Sequence, residues 1–126
     1  MNATLPEARA ACGNRIEDAR RLLASGYTVA ADCTARVGLE RSVWRIVDKA
    51  GLWADVRPYI GCGPALHALR VKRFLSDDVK RETGELYADL SRVVHGARVT
   101  KERALELLER VVVQNDRLRT IRARMK

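Results

Sequence analysis

The sequence predicts an all-α fold of about six helices. Apolar residues recur at spacings of three and four along most of the chain. The segments between these stripes carry residues that cap or stop helices, and no alternating run closed by a hairpin turn interrupts them. No internal repeat or low-complexity tract is present.

The first helix is expected over residues 6–25. Thr4 can cap it, Pro6 falls where a missing N–H costs little, and Glu7 complements the dipole. Ala8, Ala11, Cys12, Ile16, Ala19, Leu22 and Leu23 form its apolar stripe, and Gly26 ends it. Residues 28–51 then read as two short helices hinged at Gly38, with Thr28 as the N-cap and Tyr27 as a staple. Val29, Ala30, Cys33 and Val37 share one face of the first; Leu39, Trp44 and Val47 face back from the second. Gly38 supplies the turn because glycine takes positive φ without steric cost. Gly51 closes the unit, with Leu52 and Trp53 over its open end.

In that arrangement Glu40, Arg41, Ser42, Arg45 and Lys49 point outward. Long hydrogen-bonding side chains at the start of a helix suit base edges in the major groove of DNA. Arg41 or Arg45 fits a guanine, Ser42 donates or accepts, and Glu40 accepts from a cytosine amino group. Lys49, a turn further on, fits phosphate, as does Thr28. The stretch resembles the helix-turn-helix of bacterial regulators, recombinases and transposases, through Thr34, Gly38, Leu39, Arg41, Ser42, Trp44 and Arg45. Thr34 stands where that pattern usually has alanine, and Trp44 is larger than its usual Ile or Val. The resemblance covers about a fifth of the chain and implies a DNA-reading unit over residues 1–56. The alternative is a helical hairpin with Gly38 as an ordinary C-cap and the charges as a solvated face.

The stretch DVRPYIGCG, residues 55–63, marks a boundary, because Pro58 bars αR at Arg57 and glycines flank Cys62. Beyond it, residues 57–126 are expected to form a helical packing or oligomerisation region. A helix over 64–75 carries the basic cluster Arg70, Lys72 and Arg73, which, with Arg57, are further candidates for phosphate contact. Ser76 caps the next helix, with Asp77 and Asp78 in its first turn; it runs to His95 and stops at Gly96. Gly84 inside it costs about 1 kcal/mol against alanine and allows a kink. Thr100 caps the last helix. There Leu108, Val111, Asn115 and Leu118 form a coiled-coil-like seam, with Asn115 as the polar residue that fixes register in a dimer. Packing of the same face within the chain is the alternative. Arg117, Arg119, Arg122, Arg124 and Lys126 make a basic end that can follow a phosphate backbone.

A formal net charge of +8 over 126 residues points to a polyanionic partner. Cys12, Cys33 and Cys62 are odd in number and widely spaced, so neither a disulfide framework nor a metal or other cofactor site is expected. Cys62 and His67 lack an orienting third group, so no catalytic centre is expected. With no secretory signal and no membrane-spanning run, a cytoplasmic protein is expected. The sequence thus predicts a non-enzymatic, sequence-specific double-stranded DNA-binding protein. A dimeric transcriptional regulator of phage, plasmid or transposon origin fits it first. A small terminase-like packaging subunit, or a basic adaptor or inhibitor of an acidic protein, are the other readings.

Overall fold

The computed structural model describes residues 16–56 and 62–126, without the side chains of residues 55 and 56. The described residues form helices joined by short turns, with no strand among them. Five helices and one short helical turn follow in order: α1 (Ile16–Ala24), α2 (Thr28–Ala50), α3 (Trp53–Val56, a single turn), α4 (Cys62–Val71), α5 (Asp77–Val94) and α6 (Lys101–Arg124).

The chain does not turn at Gly38. Thr28–Ala50 is one helix of 23 residues, and Gly38 lies buried in its middle. The reason is the apolar register. Ala31, Ala35, Leu39, Val43, Ile46 and Val47, all at most 1% exposed, form one stripe at spacings of three and four. A glycine inside a helix costs about 1 kcal/mol, whereas burying each of the four large members of that stripe returns about 1.5–3 kcal/mol. An unbroken helix wins. It also resets the face expected for residues 29–37. Val29 and Val37 are 47% and 40% exposed, and Ala31, Asp32 and Ala35 are buried instead. Thr28 opens the helix and does not cap it; Tyr27 holds the cap position and makes no side-chain capping bond.

Helix ends elsewhere follow local chemistry. Ser76 and Thr100 accept, through their hydroxyls, from the N–H groups of Val79 and Arg103. Gly26, Gly51 and Gly96 take positive φ after α1, α2 and α5, and each is followed by a paired closing bond such as Leu52 N–H to the Val47 carbonyl. Helix α4 begins at Cys62 and stops at Val71, four residues before its expected end. Arg73 takes the left-handed position there, at φ 65°, and Phe74 N–H closes onto the Leu69 carbonyl. Gly84 leaves α5 unbroken, with Leu66 Cδ1 in ordinary contact at 3.9 Å from where a Cβ would stand.

Helix α2 is the central rod, in contact with α1, α4, α5 and α6, and α6 packs along it most extensively. Residues on both sides of the expected 56/57 boundary contribute to one core, from Leu39 and Ile46 through Leu69 and Leu90 to Leu107 and Leu118. This corrects the dimer seam. Leu108, Val111 and Leu118 are at most 1% exposed within the single chain, and Asn115 accepts from the Ser42 hydroxyl of α2 at 2.8 Å. The seam faces α2. No helix among the described residues is long and apolar enough to cross a membrane.

Candidate nucleic-acid interface

Because α2 is unbroken through Gly38, side chains four apart stay on one face, and the expected reading set is divided between faces. Glu40 turns toward α5. Its Oε1 accepts from the Tyr87 hydroxyl at 2.5 Å, which itself accepts from Arg36 Nη2 at 2.7 Å. The Arg36 guanidinium also lies 4.9 Å from the centre of the Tyr87 ring. Burial, then the bond to Glu40, holds the Tyr87 hydroxyl above its ordinary pKa. Ser42 turns toward α6 and is engaged with Asn115, with the Gly38 carbonyl 3.1 Å away. Glu40 and Ser42 are therefore tied into contacts between helices, while Glu40 also lines the outer face of α2 and Ser42 the space between α1, α2 and α6.

Arg45 and Lys49 remain on the surface, and two arginines of α6 join them. Partial burial lowers the pKa of Arg45, and repulsion from Arg41, Arg122 and Arg119 lowers it further. Lys49 Nζ donates to the Arg122 carbonyl at 2.8 Å and ties the end of α2 to the end of α6. Arg45 and Arg122 have no acidic partner among the described residues, while Arg119 sits 3.6 Å from Asp116. Arg41 lines the surface beside Arg45 and has interactions of its own.

The other candidate phosphate contacts do not converge here. Thr28 is at the opposite end of α2 from Lys49, about 30 Å away at 1.5 Å per residue. Arg57 lies outside the described residues. Arg70 is paired with Asp77, which keeps the arginine above and the aspartate below their ordinary pKa values. Lys72 and Arg73 are exposed in the turn between α4 and α5 and share no cleft with Arg45.

Two clefts meet at Arg45. One, of about 410 Å³, lies between α1, α2 and α6; Gly38, Ser42 and Asn115 line it together with Arg45, Arg119 and Arg122. Glu17 and Asp116 are its acidic members. The other, of about 490 Å³, runs along the outer face of α2 from Val37 to Asp48 and is walled by Trp44 and Trp53. These indoles are parallel within 2°, with centroids 5.2 Å apart. Trp53 Nε1 donates to Asp48 Oδ1 at 2.7 Å, which fixes the ring. Trp44, expected in the core, is half-buried and packs against it, while its ring also stacks on the exposed Trp53.

The face made by α5 and α6 differs in kind. There Arg92 and Arg110 both meet Asp89, at 2.9 and 3.0 Å, Arg103 meets Glu106 at 2.7 Å, and Arg117 meets Glu82. The arginines on that side are held in ion pairs, whereas Arg45, Lys49 and Arg122 form no ion pair among the described residues, with Glu17 and Asp116 the acidic groups lining the cleft beside them. The basic run after Gln114 was visible in the sequence; its meeting with Arg45 depended on α6 lying against α2.

Two titratable groups lie away from this surface. The Cys62 thiol is fully buried, and burial pushes its pKa up to about 12, so no thiolate nucleophile forms there at neutral pH. Asp32 is also fully buried, with neither carboxylate oxygen bonded, and burial raises its pKa to about 6 despite the nearby Arg103 charge. No cluster of potential metal ligands occurs among the described residues. Comparisons with protein-family models, curated proteins and solved structures find no match to this chain.

Proposed function

We propose that the protein binds nucleic acid by its phosphate backbone, through Arg45, Lys49, Arg119 and Arg122. The observation that carries this reading is the gathering of these cations, from segments some seventy residues apart, into one surface where their mutual repulsion is felt at Arg45. Such a surface is unfavourable in the isolated protein and is relieved by a polyanion, with counterion release as the main gain. Double-stranded DNA is the partner expected from the sequence. Of the expected base contacts, Arg41 and Arg45 stay at this surface; work as a transcriptional regulator or a packaging subunit would draw on it equally. With the seam of α6 buried in the chain, this mode of binding does not call on a dimer.

The test is fluorescence polarisation of a labelled 20-base-pair duplex against the protein and its Arg45→Ala/Arg122→Ala variant, over a salt series. Neutralising about four phosphates gives a slope near −3.6 in log affinity against log salt, and the variant should lose about two contacts' worth of it. Its melting temperature should not fall, since both side chains lie at the surface and their removal relieves the repulsion between them. Equal affinity and slope for both proteins would remove the surface from consideration.

A further inference from the structure

We propose that the Trp44–Trp53 cleft receives one unstacked nucleobase, so that the preferred ligand is a nucleic-acid strand with an exposed base and not an intact duplex. This deepens the backbone reading above and rests on it. In a duplex each base face is covered by its neighbours, so a tryptophan wall offers nothing to it. A single strand, or a base turned out of the helix, presents its face freely.

The cleft is built for a flat aromatic group with a charged tail. Trp53 keeps 38% of its surface exposed, although it is one of only two tryptophans in the chain. Its ring is held parallel to Trp44 and pinned through Nε1 to Asp48, so the stack is in place before a ligand arrives. Val37, also exposed, extends the apolar wall along α2. Glu40 and Asp48 line the same cleft, and each carboxylate has a second oxygen able to accept from a base amino group. Four charged side chains among seven lining residues make a poor seat for an apolar peptide or a lipid chain. Arg45 borders both clefts. A base lying on the indoles therefore has its phosphate beside Arg45, and the strand continues toward Arg119 and Arg122.

Trp44 and Trp53 are the chain's only tryptophans, so tryptophan emission, excited at a wavelength that tyrosine does not absorb, reads this cleft alone. The experiment titrates the whole protein with a single-stranded 20-mer and with a blunt, fully paired two-stranded duplex of equal phosphate number. The strand should quench tryptophan emission and bind more tightly, while the duplex binds with little quenching. Trp53→Leu should weaken strand binding about 5- to 150-fold, the range for loss of one base–aromatic stack, and leave duplex binding unchanged. Trp53→Phe, which keeps a stacking face, should restore most of the loss. Arg45→Ala/Arg122→Ala should weaken both ligands. Strand binding without quenching, or unaffected by Trp53→Leu, overturns the base-binding cleft while the cationic surface stands. If neither ligand binds, or neither responds to the arginine variant, the backbone reading falls and the cleft proposal with it.

Discussion

Replacement of Asp32 by asparagine should stabilise the protein at neutral pH and do nearly nothing in acid. Asp32 has no exposed surface, and neither carboxylate oxygen finds a donor. Its pKa is raised from 3.8 to about 6, chiefly because burial penalises the charged form, with the Arg103 charge offsetting part of this. Two pKa units correspond to about 3 kcal/mol of difference between the protonation states. For a raised acid the folded state holds its proton more tightly than the unfolded chain. The penalty is absent below about pH 4, grows as pH rises through the interval to about 6, and is complete above it. Asparagine has nearly the same shape and no charge. Asp32→Asn should therefore gain up to about 3 kcal/mol near pH 7.5 and differ little from the parent near pH 4. Urea unfolding followed by far-UV circular dichroism at both pH values reads this directly. Taking the difference between the two proteins cancels every other titrating group they share, including Asp77. An asparagine variant less stable than the parent at neutral pH, or a difference independent of pH, would mean that the carboxylate is paired in solution.

Two further substitutions probe the packing. Thr83→Val should cost about 1–3 kcal/mol in urea unfolding, because it strands the buried Gln114 amide that now donates to the Thr83 hydroxyl at 2.7 Å. Thr83→Val with Gln114→Leu should recover most of that loss; a double variant as unstable as the single one would assign the cost to packing instead. Arg73→Gly should raise the thermal midpoint slightly, since an L-residue in the left-handed region costs about 1–2 kcal/mol and glycine avoids it. A fall in the midpoint would show that the Arg73 side chain makes a stabilising contact that outweighs the strain.

The features legible in the sequence are those whose physics is local. Ser76 and Thr100 cap their helices within one turn, and Gly26, Gly51 and Gly96 end theirs, because each bond involved spans at most five residues. The inward face of α5 is legible from spacing at Val79, Leu86, Leu90 and Val93, which are buried; Val94, which spacing also places inward, is only half-buried. Gly38 shows where locality fails. The same glycine closes a helix or rides through one according to whether the stripe around it is buried, and that depends on α6, more than sixty residues away. Once Gly38 is helical, the register of residues 29–37 changes and Asp32 enters the core, which no composition rule anticipates. Glu40 and Ser42 looked outward for the same reason. Their partners, Tyr87 and Asn115, lie 47 and 73 residues along the chain. At the candidate interface the chemistry of Arg45 and Lys49 was readable, but their assembly with Arg119, Arg122 and the tryptophan stack belongs to tertiary structure.

The packing of α6 along α2 also has a bearing on how this chain is made. Helix α2 is fully synthesised by Ala50, yet α6, which packs along it most extensively, begins only at Lys101. Between those moments a ribosome-bound chain presents Leu39, Val43 and Ile46 with only part of their cover. Contacts of such long sequence separation form late and slow folding, and apolar surface left open in the interval invites association with other chains. Translation that stalls before Leu118 should accordingly yield a product that needs a chaperone or is degraded, while release of the following turns allows the core to close in a single cooperative step.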